Sequence, residues 1–299
     1  MAASILVTGG TTGLGYECTL VIARQFPNYP VKNVEYMQLD LADLSNIRAF
    51  VEKLKTQKKY PPIQYLFLNA GIQYNGKIQY SKDGFEKTFA VSNIGHPLLF
   101  SLLTPHLTNS ARIVITGSGT HDPEQKWPVP PPEYTSPEEL AHPPPAALEA
   151  HGRQRYATSR LVLLMWMYAL ERRLKQLRDT LQTNWTVVQV DPGMVPGTKA
   201  ARDGKWVERL LLERIIPHAL PLARLMFGQP RIHSPQVSGA AIAWLAYSPD
   251  VTGVSGKYFE NKKEARSSAE SHDEAKQEDV WEWTVKSIAA SRRRLSSFP

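Results

Sequence analysis

One cysteine, Cys18, stands in 299 residues. A lone thiol excludes an internal disulfide framework and any all-cysteine zinc site. Long hydrophobic runs are missing as well: no stretch approaches the ~18 uninterrupted apolar residues that a spanning helix needs. Aromatic residues are 9% and charged residues 21% of the chain, against 42% hydrophobic. That apolar fraction is ample for a core and excludes a wholly disordered chain. Residues 1–4 carry no charged leader and no cleavage pattern before a strand-like stretch, so the sequence reads as cytoplasmic rather than secreted. The excess of 35 Lys plus Arg over 28 Asp plus Glu is modest, and part of it sits in Arg292–Arg294. A solvated basic tail is the preferred reading, with no nucleic-acid partner.

What is present is a rhythm of strands and helices. Short runs rich in β-branched residues, Ser4–Thr8, Val34–Leu39, Ile63–Asn69, Arg112–Thr116 and Trp185–Val190, are apolar on both faces. Parallel strands covered by helices on both sides read in this way. Helical patterns lie between them at Leu14–Gln25, Leu44–Thr56, Lys82–Leu103 and Arg155–Leu181. The alternation predicts an α/β, Rossmann-type doubly wound parallel sheet, with residues 1–299 forming a single domain. Two segments break it. Residues 121–152 hold nine of the 23 prolines and read as an inserted loop with little regular structure. Residues 199–235 contain an amphipathic helix with Trp206, Leu210, Leu211, Ile215 and Ile216 near one face. A lid over a pocket is the plainer reading. Peripheral membrane contact, helped by Arg209, Arg214 and Arg224, is the sharper one.

Directly after the first strand comes Thr8-Gly9-Gly10-Thr11-Thr12-Gly13-Leu14-Gly15, and a helix follows. A strand feeding such a turn at a helix N-terminus aims backbone N–H groups and the positive dipole end at a diphosphate. Glycine serves where the backbone turns tightly or meets a ligand closely.

The spacing T-G-x-x-x-G-x-G resembles the short-chain dehydrogenase/reductase family, and six further motifs follow in that family's order. Asp40-Leu41 resembles the adenine-contacting acid, Asn69-Ala70-Gly71 the N-A-G motif and Asn93-Ile94-Gly95-His96 the helix asparagine motif. Ser118 stands at the catalytic serine position, Tyr156 opens the Y-x-x-x-K position, and Asp191-Pro192-Gly193 ends a strand as the family's P-G does. The long Ser-to-Tyr insertion, the run Pro192–Thr198 and the tail Gly253–Phe259 with Ser267-Ser268 resemble the retinol dehydrogenase and protochlorophyllide reductase branch.

The resemblance implies an NAD(P)(H)-dependent oxidoreductase acting on the carbonyl/alcohol of a lipophilic small molecule. Tyr156 would be the general acid/base, Ser118 would polarise the carbonyl, and Asn93 would hold a water in the proton path. It also implies a cofactor site of Gly9, Thr11, Thr12, Gly13, Leu14, Gly15, Asp40, Leu41, Asn69, Ala70, Gly71, Tyr156, Arg160, Pro192, Gly193, Val195 and Thr198. NADP is slightly preferred to NAD. A free tyrosine titrates near pH ~10, and a fixed neighbouring cation favours its phenolate. Apolar positions along Tyr156–Leu174 either pack within the domain or form a homodimer interface. His96 and His121 read as hydrogen-bonded structural or loop histidines, and no spacing of His, Cys or carboxylates resembles a metal site.

Two departures qualify the resemblance. Four residues after Tyr156 stands Arg160, not Lys. At i and i+4 it shares the tyrosine's helix face, but a guanidinium keeps its proton and cannot relay one. The second departure is length: about 25 residues separate Gly15 from Asp40. One βαβ unit takes ~30 residues, so the usual second strand–helix pair is missing. Either strand Val34–Leu39 slides beside strand one and Asp40 meets the adenosine ribose, which favours NAD, or Asp40 keeps its third-strand role beside an incomplete adenosine half-site. The second is preferred. Both departures motivate an alternative function, a diverged non-redox member acting as a cofactor-independent cyclase, isomerase or dehydratase, or as a pseudoenzyme.

Overall fold

A computed structural model describes residues 3–25, 34–57, 59–148, 151–181, 183–196, 220–228 and 231–296. Its centre is a six-stranded sheet of β1 (Ser4–Val7), β2 (Ile63–Leu68), β3 (Leu107–Thr116), β4 (Thr186–Asp191), β5 (Lys257–Glu260) and β6 (Lys263–Ala265), in that spatial order. The first five strands are parallel, and β6 returns antiparallel to β5. Because successive strand residues face opposite sides, the β-branched runs feed two cores. Phe67, Val114, Val188, Val190 and Phe259 pack with Cys18 and Ile22 of α1 (Gly13–Gln25) on one face. Leu66, Leu68, Ile113, Ile115 and Val187 pack on the other with α2 (Leu44–Gln57). Truncating a ring as enclosed as Phe67, with no exposed surface, costs about 3–5 kcal/mol.

The second face is completed by one long interrupted helix. It begins as α3 (Lys87–Phe89), passes through a π-helical stretch at Ala90–Gly95 and continues as α4 (His96–Leu103). The predicted start at Lys82 is early by more than one turn: Glu86 caps the helix by accepting the Phe89 N–H at 2.6 Å, and Gly84 before it turns at φ +90°. The Pro-rich insertion contains a short α5 (Pro137–Ala141), capped by Ser136, and single 3₁₀ turns. Its irregular backbone is anchored by Glu133 N–H on Thr158 Oγ1 at 2.9 Å. The 30-residue α6 (Gly152–Leu181) follows, and its residues Leu161–Met167 are buried within this chain. Those positions, read as core or dimer interface, are therefore covered intramolecularly.

Further helices are α7 (Leu220–Phe227), α8 (Pro235–Tyr247) and α9 (Glu274–Ser296). Helix α8 covers the first core through Ile242 and Leu245, while α9 joins the second through Val280. Helix α7 belongs to the expected lid, but Trp206, Leu210, Leu211, Ile215 and Ile216 lie outside the described residues.

The shortened interval after α1 has a visible consequence. Among the described residues no strand lies between β1 and β2, and β1 stands at the edge of the sheet that they form. The expected strand Val34–Leu39 does not form either. Residues 34–40 run without ladder bonds, Met37 and Leu39 leaning on the second core while Tyr36 is 72% exposed. Side chains hold this segment instead: Glu35 accepts from Lys59 Nζ at 2.7 Å and from Tyr60 OH at 2.7 Å. Only Met37 and Leu39 are drawn towards the core, so the segment is buried on one side and not on the two faces that a covered parallel strand requires.

Candidate active site

The glycine turn sits at the carboxyl end of β1. Gly9 and Gly13 adopt φ +68° and +55°, conformations that cost most side chains energy. Gly15 answers a packing demand. A Cβ there would collide with the Gly9 carbonyl oxygen and reach 2.5 Å from Asn69 Nδ2. Thr8 locks the turn to β2, its hydroxyl accepting from the Asn69 and Ala70 N–H groups at 2.8 and 3.0 Å. Asn69 in turn donates to Thr8 O at 3.0 Å and accepts from Thr116 Oγ1 at 3.1 Å. The His96 ring lies 3.2 Å from the same Thr8 oxygen. The Thr8 hydroxyl itself donates to Phe67 O, also at 3.2 Å. Burial and the Arg160 charge hold the His96 ring neutral, its pKa pulled down to about 3.

These groups border a cleft of 1660 Å³. Gly9, Thr11, Thr12, Gly13, Leu14, Asp40, Leu41, Asn69, Ala70, Gly71, Ser118, Tyr156, Arg160, Pro192, Gly193 and Val195 all line it. Gly15 lies beneath the turn and is buried, and Asn93 is 1% exposed behind the wall. Thr198 lies outside the described residues. The π-helical stretch bearing Asn93 is of a kind that marks functional sites. Both polar atoms of its amide are buried without a partner, as are Ser159 Oγ and Arg160 Nε. Such atoms are satisfied by water or a ligand when a site is filled.

Ser118 stands two residues beyond β3 and caps a 3₁₀ turn at Gly119–His121. Its Oγ accepts from Thr120 N–H at 3.3 Å and from Thr120 Oγ1 at 3.1 Å. Its own hydroxyl proton is thereby left to be given to something in the cleft. Tyr156 and Arg160 share the α6 face that closes the cleft, as their spacing predicts. The Arg160 guanidinium carbon stands 4.8 Å from the centroid of the Tyr156 ring, and Nη1 donates to Thr116 O at 3.3 Å. A Cβ on Gly71 would collide with its Nη2. Arg160 is thus wedged, at 4% exposure, between Tyr156, the N-A-G backbone and the end of β3. Of the two other arginines nearby in sequence, Arg153 lines the cleft. Arg155 turns away, Nη2 donating to Gly76 O at 2.8 Å.

After β4, Gly193 (φ +78°) lets the chain pass the Arg231 carbonyl. Met194 N–H then donates to Arg231 O at 2.9 Å, and Ser238 Oγ donates to Pro192 O at 2.7 Å. Asp40 is exposed, and its Oδ1 accepts from Ala42 N–H at 2.9 Å rather than closing a strand end. Sequence reasoning missed Thr116 and Thr120, which flank Ser118 by two residues on either side, and gave Thr8 no role beyond opening the glycine turn.

A family model for short chain dehydrogenase matches residues 21–129. The human (Homo sapiens) polyprenol dehydrogenase is 28% identical over 303 residues, covering 92% of this chain and 82% of its own. Retinol dehydrogenase 14 of Mus musculus is 30% identical over 248 residues, 82% of this chain and 64% of its own. Among solved structures, an NADPH-bound carbonyl reductase from chicken fatty liver superposes with a TM-score of 0.58 at 13% identity, over 89% of this chain and 99% of that one. That last likeness concerns the fold.

Proposed function

Because the chain is a member of the short-chain dehydrogenase/reductase family, an oxidoreductase by that membership, we propose that it interconverts a carbonyl and an alcohol on a lipophilic small molecule with NADP(H) in preference to NAD(H). The observation that carries this reading is the convergence of Ser118, Tyr156 and Arg160 on one cleft, with the Ser118 proton unclaimed. The named activities of the polyprenol and retinol relatives support a lipophilic alcohol or aldehyde as substrate. We take residues 1–299 as a single domain.

The residues fit a dinucleotide. The glycine turn with its two positive φ angles leaves backbone N–H groups at a helix N-terminus for the diphosphate, and the partnerless Asn93 amide and Arg160 Nε lie toward the other end. Gly9 and Thr11–Leu14 would hold the diphosphate, Asn69–Gly71 the central wall, and Pro192–Val195 the nicotinamide side. When bound, the cofactor supplies or accepts a hydride. In reduction, Ser118 donates its hydrogen bond to the substrate oxygen and Tyr156 gives that oxygen a proton. Arg160 contributes fixed positive charge at the ring face but relays no proton. Return of a proton to Tyr156 then falls to water held at Asn93.

The edge position of β1 among the described strands favours a second reading, in which the pocket performs proton transfer without a nicotinamide. Fluorescence titration of the purified chain with NADPH and with NADH separates the two. Micromolar or tighter binding is expected, and absence of binding by both sinks the redox reading. With binding established, Tyr156→Phe should abolish turnover of all-trans-retinal and leave cofactor affinity nearly intact.

A further inference from the structure

His121, read from sequence as a hydrogen-bonded structural or loop histidine, has no exposed surface, and both its ring nitrogens are used. Nδ1 lies 2.8 Å from the main-chain oxygen of Ser118. Nε2 lies 3.2 Å from the main-chain nitrogen of Ser268, on the segment between β6 and α9. An amide nitrogen can only donate, so Nε2 is the acceptor and the ring proton belongs on Nδ1, where it is donated to Ser118 O. One neutral tautomer satisfies both contacts. Protonation would set two donors face to face at Ser268. The Tyr258 ring, edge-on at 4.9 Å, holds the imidazole in plane, while Asp122, Arg231 and His272 are the charged or titratable groups around it.

We propose that His121 is a positioning residue that fixes Ser118 through its carbonyl and couples it to the Ser267–Ser271 turn. This rests on the reading of Ser118 as the group that hydrogen-bonds the substrate oxygen. The Ser118 carbonyl also accepts the His121 N–H, at 3.4 Å, so the ring bond is the shorter of two that set the direction of the peptide following Ser118. That direction orients the residue whose Oγ must meet the substrate within hydrogen-bond reach. The far end of the clamp is itself anchored. In that turn Ser267 Oγ contacts Tyr168 OH of α6 at 2.7 Å and His272 Nε2 at 2.9 Å. A chain of bonds thus joins Ser118 to the helix that carries Tyr156, by a route outside the cleft.

The test uses the full chain with all-trans-retinal and NADPH, and the variants His121→Asn, His121→Gln and His121→Ala. An asparagine amide overlays the Nδ1 position and preserves the donor to Ser118. A glutamine amide reaches the Nε2 position and preserves only the Ser268 contact. His121→Gln and His121→Ala should lower kcat by about 10- to 100-fold with NADPH affinity unchanged, and His121→Asn should keep most of the rate. Equal rates for the Asn and Gln variants, or wild-type kcat in all three, overturn the proposal. A second readout needs no turnover: ¹⁵N NMR of the imidazole should show a neutral Nδ1–H ring between about pH 5 and 8. An Nε2–H tautomer or a titrating ring overturns it as well. Ser118→Ala separates the two ideas, because unchanged turnover there defeats the role of Ser118, whereas the tautomer judges the clamp directly.

Discussion

Replacing Arg160 by lysine restores the residue that the family pattern places there, and its outcome follows from where the arginine lies. The guanidinium carbon lies over the Tyr156 ring, 4.8 Å from its centroid, and Nη1 donates to Thr116 O at 3.3 Å. Lysine keeps the charge and part of the ring attraction, which is worth about 0.5–2 kcal/mol in desolvated settings. It loses the planar donors. A bond from a charged donor to a carbonyl contributes about 1.5–3 kcal/mol, offset in part because the buried and partnerless Arg160 Nε disappears as well. The expected net loss is about 1–2 kcal/mol, a drop in melting temperature of about 2–3 °C for a chain of this size. Thr116 stands two residues before Ser118, so loosening it also displaces the hydroxyl. Turnover of all-trans-retinal should fall about 10-fold, equivalent to about 1.4 kcal/mol of barrier. Differential scanning calorimetry and steady-state kinetics on the same preparations give both numbers. A faster enzyme with an unchanged melting temperature would refute the reasoning and mark Arg160 as a lesion in a redox site.

Two further perturbations follow from the geometry. Gly15→Ala drives a Cβ onto the Gly9 carbonyl, an overpacking cost of about 1–3 kcal/mol that outweighs the helix-propensity gain of up to about 1 kcal/mol. It should lower the melting temperature and weaken NADPH binding more than Gly10→Ala, whose added Cβ has Thr19 Oγ1 as nearest neighbour at 3.2 Å. Equal effects would disprove this account of the turn. Glu278 is pulled down to about 2 by bonds from Arg173 and Arg172. A lowered carboxyl pKa stabilises the fold above the unfolded-state value of 4.5 and loses that contribution as pH falls towards about 2. The stability gap between wild type and Glu278→Gln should therefore close on acidification, and by a modest amount because the pair is partly exposed. A gap that is constant with pH in acid denaturation would count against it.

Much of the site was legible because its residues are bound to local grammar. The turn after β1 needs glycines where φ is positive, and Tyr156 and Arg160 needed only a helix to meet. Asn93 could be placed on a helix, but not on a π-helical stretch, since nothing in Ala90–Gly95 announces an extra residue per turn. Val34–Leu39 has the composition of a strand and lacks the neighbour that would make it one. Helix α8 went unread because its run Ser238–Ala246 is small or apolar on nearly every side and shows no polar face. The contact of His121 with Ser268 spans 147 positions, and no local pattern encodes it.

The edge position of β1 reaches beyond the cleft. In this sheet the strand order runs one way from β1 to β5 without reversing, so the glycine turn stands at a border, not at a seam between two halves. Ser4 and Thr8 give their N–H groups to Pro62 and Phe67, and by alternation Ile5 and Val7 turn theirs outward. Amide exchange along β1 should therefore alternate between slow and fast. The outward pair is also a short template on which another extended segment could align. Its brevity, four residues, is the protection that exposed sheet borders ordinarily need against sticking to one another.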